Sequence, residues 1–338
     1  SPSEILIIDH DSSDDTYSLI ENFKERHTQI PISLWQCKLN HMARSRHELL
    51  GRAKNEFIAY INGDCLPPKD WLEQLIRGYY DCKNRDPYVV GVGGPNRLAP
   101  STEVHKGINI ALDWIPSSSP QILKPKYPQK VDHIATANCL FERKALIRVG
   151  GFSPHFPQMG EDLEIGRRLL RSGKSLYLLA HPVVINNCNR NFGEWLRRMY
   201  RLGRAQSLEL SHGGSWSKVS GIALWSLPLL GLLLLMSVFF NEVRSAILIY
   251  LLFSMVFVTL RAGLQACGRL SPHIWMCLHF SPVAYSLGFW SSRIHLLENL
   301  TSRAKNLLTN VSSHLQTTPT HLLRLLVGMP ERLRNRRT

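Results

Sequence analysis

The rhythm of hydrophobic positions changes along the chain. Residues 5–8, 57–61 and 89–92 are short apolar runs, each leading into a polar turn. Such runs predict buried strands. Residues 19–26, 41–53 and 71–80 carry helical patterns between them. The alternation predicts an α/β fold with a mainly parallel sheet. Residues 116–128 are rich in Ser and Pro and predict a loop. Past residue 218 the pattern is different: residues 219–240 hold no charge at all. A helix of that length rises ~33 Å, against ~30 Å for a hydrocarbon core. Further apolar runs at 245–260 and 274–290 follow. The first two runs, joined by the short loop 241–244, predict a membrane hairpin. The third contains His279 and Ser281-Pro282 and either spans or lies re-entrant, so two or three spans are expected.

Composition adds charge to this picture. The 338 residues are 44% hydrophobic and 20% charged, which excludes wholesale disorder. Forty Lys and Arg face 26 acids, for a formal net charge of +14. The basic residues crowd the flanks of the apolar runs (Arg190, Arg197, Arg198, Arg201, Arg204 and Lys218 before the first; Arg261 and Arg269 after the second). They form no groove interleaved with aromatics, so no nucleic-acid partner is expected. The positive-inside rule places residues 1–218 in the cytoplasm and predicts an integral membrane protein with its soluble part on that side. Residues 303–338 carry seven Lys/Arg and one Glu, and suit either an anionic membrane surface or a solvated tail. The seven Cys form no CxxC pair, which argues against a zinc ribbon or thioredoxin-type motif and fits a reducing compartment.

Residues 192–205 interleave an apolar stripe (Trp195, Leu196, Met199, Leu202) with Arg197, Arg198, Arg201 and Arg204. An interfacial helix on the cytoplasmic leaflet fits this pattern. A phosphate-binding face toward the donor or a lipid-diphosphate acceptor, and core packing with a solvated basic face, are the alternatives.

Three segments carry candidate chemistry. The first runs from Ile7-Ile8-Asp9-His10 to Asp15-Thr16, a strand ending in an acidic, Ser-rich turn. In open α/β sheets ligands bind beyond the carboxyl ends of strands, and a carboxylate there can accept hydrogen bonds from a base or ribose. An ordinary helix cap would use the same residues. The second is Ile61-Asn62-Gly63-Asp64-Cys65, again a strand end with a carboxylate; Asp64 suits a hard divalent cation, Mg²⁺ or Mn²⁺, bridging a diphosphate. The third joins Thr136-Ala137-Asn138-Cys139 to Gly160-Glu161-Asp162, where an acid fixed at a helix start is well placed as a general base. The Gly-rich stretch Gly91-Val92-Gly93-Gly94-Pro95-Asn96 lacks a P-loop ending. It reads as a strand end facing an acceptor or as a structural turn.

In this order and spacing the segments resemble family 2 glycosyltransferases of the GT-A fold attached to membrane helices, with a looser likeness to ExoA-like transferases of exopolysaccharide assembly. The likeness covers roughly residues 4–205. Asp9–Thr16 stands for the family's DDGSTDGT element, Asn62–Asp64 for DxD, Gly160–Asp162 for ED, and Ser45-Arg46-His47 for ARN. The resemblance implies a Rossmann-like GT-A domain over 1–190, an interfacial helix over 191–218, a transmembrane region over 219–292 and a basic tail over 293–338. It implies that Asp9 and Arg46 bind the nucleotide and that Asp64 ligates the metal. Asp162 would deprotonate the acceptor, beside an acceptor pocket shaped by Glu161, Asn138 and Gly94. The implied partners are a nucleotide-sugar donor, probable UDP linkage included, a lipid-linked or glycan acceptor, and membrane lipids. Several positions depart from the family: His10 for the second Asp, Asn62 for the first Asp of DxD, Cys65 for a frequent acid and His47 for Asn. His181 lies earlier than the family's His, the QxxRW element of processive synthases is absent, and the family's first strand would precede Ser1. These departures leave a catalytically degenerate, membrane-bound relative as the alternative.

Overall fold

The structure, a computed structural model, describes residues 2–38, 41–114, 125–156, 159–187, 191–212, 218–264 and 268–317. Most of the expected loop at 116–128, and the basic residues beyond 317, lie outside them. The first half runs β1 (Ile5–Asp9), α1 (Thr16–Arg26), β2 (Ile32–Gln36), α2 (Met42–Arg52), β3 (Phe57–Ile61), β4 (Cys65–Leu66), α3 (Trp71–Arg85), β5 (Val89–Gly93), β6 (Asn96–Leu98) and α4 (Glu103–Trp114). There follow β7 (Gln129–Val131), β8 (Asn138–Glu142), α5 (Arg143–Arg148), α6 (Glu161–Arg171), β9 (Ser175–Leu178), β10 (Val184–Asn186) and α7 (Phe192–Ser211). Helices α8 (Lys218–Phe239) and α9 (Asn241–Leu264), a 3-10 turn at Gly268–Leu270 and α10 (Ser271–Thr317) complete the described chain.

The central sheet has the order β3-β8-β5-β9-β7. Strand β8 is antiparallel to both β3 and β5, β5 and β9 are parallel, and β7 is antiparallel to β9. The parallel pair β1-β2 and the small sheet β4-β10-β6 stand beside it. The sheets are therefore mixed, which corrects the expectation of a mainly parallel sheet. Apolar runs mark strands without encoding their direction, and β8 returns between two strands that precede it.

Side chains alternate across the central sheet as the period of two requires. From β8, Cys139 and Phe141 enter a core shared with Leu50 of α2, Leu146 of α5 and Ile165 and Leu169 of α6. Leu140 points the other way, onto Leu75, Tyr79 and Cys82 of α3. All five residues of β5 are buried, as expected for a strand covered on both faces.

A separate apolar cluster joins Ile108 and Ala111 of α4, Trp195 of α7, Val258 and Ala262 of α9, and Ile274 and Cys277 of α10. Most of the apolar stripe of α7 packs here, with Leu202 turned to the cavity: Trp195 is buried and donates Nε1–H to Ser281 Oγ at 2.9 Å, with Leu196 and Met199 packed alongside. The two helix backbones nearly touch, since a Cβ at Gly203 would overlap the Tyr285 carbonyl and one at Gly288 the Tyr200 carbonyl. Small residues permit such close crossings.

Among the described residues one helix, α9, is long and apolar enough to cross a membrane, and Pro228–Phe239 forms a shorter apolar helical stretch within α8. Two or three spans were expected. The third apolar run buries one face, through Ile274, Cys277 and Ser281, against protein. The chain forms two compact units, Ser1–Trp290 and Ser291–Thr338, and the described part of the second is helical.

Candidate functional site

A cavity of about 530 Å³ opens where α6, α7 and the small sheet converge. Its first wall is the start of α6. Gly160 precedes this helix with φ of 95°, a left-handed conformation that glycine adopts freely. A Cβ there would come within 2.9 Å of Ala205 Cβ, so the turn seats the helix start directly on α7. Glu161, Asp162 and Glu164 fill the first turn, where the macrodipole favours acids. Asp162 lines the cavity, and its Oδ1 accepts from the Leu163 amide at 2.9 Å. Burial raises its carboxyl above the ordinary aspartate range, opposed by that amide and by the charges of Arg46 and Arg198.

Glu161 faces a different environment. Its Oε1 accepts from Arg46 Nη1 at 2.6 Å and from Thr136 Oγ1 at 3.1 Å. Arg46 Nη2 also donates to Asn62 Oδ1 at 2.9 Å. One buried guanidinium thus ties α2, α6 and the turn after β3 together. Burial pushes the Glu161 carboxyl up while Arg46 holds it down.

The second wall is the small sheet. Strand β10 pairs with β4 on one side and β6 on the other, which sets Asp64, Asn186 and Asn96 along the cavity. Asp64 Oδ2 accepts from Asn186 Nδ2 at 3.2 Å, and its carbonyl accepts from the Asn187 amide at 2.7 Å. Both polar atoms of the Asn96 amide are buried without a partner.

The third wall is α7. Glu194, Arg197, Arg198, Arg201 and Leu202 line it. A capping box with Asn191 fixes the helix start: Glu194 N donates to Asn191 Oδ1 at 2.8 Å, and Asn191 N to Glu194 Oε2 at 3.3 Å. The Arg167–Glu209 ion pair at 2.8 Å joins α6 to α7 further along.

The cavity thus gathers Arg46, Asp64, Glu161 and Asp162 from the residues singled out in the sequence, and leaves Asp9, Asn138 and Gly94 outside its lining. Asp9 is buried at the end of β1, where Ser12 Oγ donates to it at 2.5 Å and the Ser12 amide at 3.1 Å; these bonds keep its carboxyl below the usual range. Asn138 is fully engaged in packing: Nδ2 donates to the Pro95 and Pro182 carbonyls, and Oδ1 accepts from Trp71 Nε1. A Cβ at Gly94 would strike that same Pro182 carbonyl, so this glycine serves a close approach of backbones. His181 is exposed, and Asn186 lines the cavity from the strand that follows it. Asn186 and Asn96 were not assigned a role from the sequence. Both sit at strand ends, but strands of three residues carry no periodicity that would mark them.

The residues present fit a divalent cation of restricted kind. Asp64 supplies one hard carboxylate. Asn62 spends its oxygen on Arg46, and burial pushes the Cys65 thiol up to about 12, so it stays protonated. Among the described residues no three His, Cys, Asp or Glu side chains cluster as a metal cage. Mg²⁺ and Mn²⁺ are commonly held this way, by one or two carboxylates with substrate phosphates and water completing the shell.

Comparison with known proteins places this geometry. The pattern of "Glycosyl transferase family 2" matches residues 1–150, and that of "Glycosyl transferase family 21" matches residues 130–296. The glycosyltransferase AglE of Haloferax volcanii is 25% identical over 67% of this chain and 70% of its own length. A Methanococcus voltae enzyme, dolichyl N-acetyl-alpha-D-glucosaminyl phosphate 3-beta-D-2,3-diacetamido-2,3-dideoxy-beta-D-glucuronosyltransferase, is 22% identical over 62% of this chain. The chain spans 65% of that relative's length. Among solved structures, the mannosyltransferase PcManGT of Pyrobaculum calidifontis, in complex with GDP-Man and Mn²⁺, superposes with a TM-score of 0.58 at 17% identity, covering 86% of this chain and 79% of its own. That likeness establishes the GT-A-like fold. The two sequence patterns together run from residue 1 to residue 296, through every wall of the cavity. Two glycosyltransferase patterns and the GT-A-like fold together make the chain a glycosyltransferase, with residues 1–150 matching family 2.

Proposed function

We propose that the chain is an inverting glycosyltransferase that moves one sugar from a nucleotide-sugar, UDP-linked, to a lipid-linked or polysaccharide acceptor at the cytoplasmic face of a membrane. The observation that carries this reading is Asp162, fixed at a glycine-capped helix start in the same cavity as Asp64. The acceptor hydroxyl gives its proton to Asp162 as its oxygen bonds to the anomeric carbon. The bond from that carbon to the diphosphate breaks, and the nucleoside diphosphate leaves. The raised carboxyl of Asp162 makes it a stronger base than an ordinary aspartate, and positioned base catalysis contributes typically ~10²–10⁴-fold. Arg46 orients Glu161 beside the base, and Glu161 shapes the acceptor side of the cavity. Asp64 would hold Mg²⁺ or Mn²⁺, which when bound neutralises charge on the leaving diphosphate. Asp9, at the end of β1, is assigned to the nucleotide.

Membrane attachment is supported by α9, whose Leu252 and Phe253 are each 69% exposed although large and apolar. An apolar patch of this size in water is unfavourable and marks a membrane or protein contact. The degenerate alternative draws on one observation: Asn62 stands in place of an acid and its oxygen is taken by Arg46. Calorimetric titration of UDP into the full-length protein in detergent, with and without Mn²⁺, separates the two. Metal-dependent binding that Asp64→Ala weakens is expected. Absence of binding for UDP, GDP and dTDP alike would favour the degenerate reading.

A further inference from the structure

Beyond the Arg198 charge that opposes the raised Asp162 carboxyl, the basic face of α7 has no part in the chemistry described above. Arg197, Arg198 and Arg201 all line the cavity, within one and a half helical turns, while Glu194 is engaged in capping. A neutral glycan gives three guanidinium groups no negative charge to pair with. Phosphate does, because the planar fork of arginine matches its oxygens in bidentate geometry. The helix that presents them is rigid, held by the Trp195–Ser281 hydrogen bond and by the glycine crossing with α10.

Two molecules bring phosphate to this cavity: the donor, through its diphosphate, and an acceptor whose lipid is joined to its headgroup by phosphate. The position of α7 distinguishes them. Its apolar side packs on Val258 and Ala262, near the C-terminal end of α9, the helix apolar enough to cross a membrane. That end of α9 carries Arg261, stacked 4.3 Å over the Trp114 ring. An arginine closing an apolar helix, with a tryptophan of the neighbouring α4 stacked on it, marks the depth of a membrane–water interface. The arginine face is therefore one helix diameter, about 10 Å, from that interface. Asp64 lies on a different wall, that of the small sheet.

We infer that Arg197, Arg198 and Arg201 form a phosphate subsite that holds the phosphate of a lipid-linked acceptor beside Asp162. The inference rests on the glycosyltransferase reading above and narrows its acceptor to a phosphate-bearing lipid.

The test uses the full-length protein in detergent micelles and four probes: farnesyl phosphate, farnesol, UDP and GDP, the nucleotides with Mn²⁺. The variant is Arg197→Gln/Arg201→Gln, both exposed positions, with Arg197→Lys/Arg201→Lys as a charge-preserving control. Farnesyl phosphate is expected to bind about 10-fold or more weakly to the Gln variant, with the Lys variant between it and wild type. Farnesol binding and nucleotide affinity are expected to stay within about 2-fold, and an unchanged melting temperature would show that the fold is intact. Loss of nucleotide affinity with farnesyl phosphate unaffected would reassign the subsite to the donor and overturn the inference. So would equal farnesyl phosphate binding by wild type and the Gln variant. Failure of the wild type to bind any nucleotide would strike the glycosyltransferase reading instead, and is read independently of the lipid arm.

Discussion

At the scale of single residues, Asp162 and Glu161 are neighbours with opposite solutions to burial. Burial raises both carboxyls; Glu161 is paired directly with a guanidinium that opposes the shift, whereas Asp162 faces the cavity. A raised carboxyl costs stability wherever it is ionised. The folded state prefers it protonated, so its contribution is complete below the ordinary aspartate pKa and is lost as pH rises through the folded value. Asp162→Asn should therefore raise the melting temperature at neutral pH and change it little below about pH 3, where both states hold the proton. The same substitution should slow transfer by ~10²–10⁴-fold with nucleotide affinity retained. In the wild type, kcat/KM should fall on acidification with a midpoint above that of a free aspartate. A melting curve for Asp162→Asn that matched wild type at neutral pH would contradict the raised carboxyl. Arg46→Met poses the opposite case, because it strands Glu161 in the interior. Leaving one member of a buried pair costs about 3–5 kcal/mol, whereas the double variant Arg46→Met/Glu161→Met should recover much of that loss. Chemical denaturation of the wild type and the two variants measures this directly, and a double variant no more stable than the single would mean that the pair is not coupled.

At the scale of elements, what was legible in the sequence follows from how each element is stabilised. Strand β5 buries a continuous apolar run, β1 and β3 half-bury theirs, helices α2 and α3 bury apolar positions at helical spacing, and the extents of all five lie close to the expected ones. Strands β4, β6 and β10 have two or three residues each and are held by their neighbours, so nothing local announces them. The site divides the same way. Asp64, Glu161 and Asp162 stand at the ends of strong elements and were found by position, Arg46 lies inside α2 and was singled out through the family resemblance, and Asn96 and Asn186 depend on the short strands. Asn138 and Gly94 were marked by their neighbourhood, yet both are spent on a backbone approach around Pro182. The arginines of α7 were visible, but only packing could say which way they face: Trp195, Leu196 and Met199 pack against α4, α9 and α10, so Arg197, Arg198 and Arg201 turn to the cavity together with Leu202. That packing can be tested at its tightest point. Gly203→Ala sets a methyl group against the Tyr285 carbonyl, and overpacking of this kind typically costs about 1–3 kcal/mol. A lower melting temperature and weaker transfer are expected together, since α7 carries one wall of the cavity. A variant as stable and active as wild type would show that the crossing is looser than described.

At the scale of the whole molecule, the cavity and the apolar helices are joined by shared packing. The cluster behind α7 takes Val258 and Ala262 from α9 and Ile274 and Cys277 from α10, so a helix suited to lipid forms part of the support for a wall of the site. Whether α9 lies in a bilayer is decided by its exposed residues. Leu248, Ile249, Leu252, Phe253 and Phe257 are exposed large apolar side chains, with no charge between Ser245 and Leu260. In water such a surface drives association, while in a bilayer it is matched. An arginine at the centre of a membrane helix costs ~2.5–3.5 kcal/mol on insertion scales, so Leu252→Arg/Phe253→Arg should oppose insertion by about twice that. The expected result is a chain that alkaline carbonate extracts from membranes when the wild type stays in the pellet. Leu252→Ala/Phe253→Ala, which remains apolar, should stay with the wild type. If the Arg variant were retained as well, α9 would not be the anchor, and its apolar face would have to be covered by protein. Transfer provides a second readout in the same preparations. Val258 and Ala262 lie beyond the substituted turn and are buried against α7, so nucleotide binding should survive extraction. Transfer to an acceptor held in the membrane should not survive it, because the cavity would no longer be held at the surface where that acceptor resides.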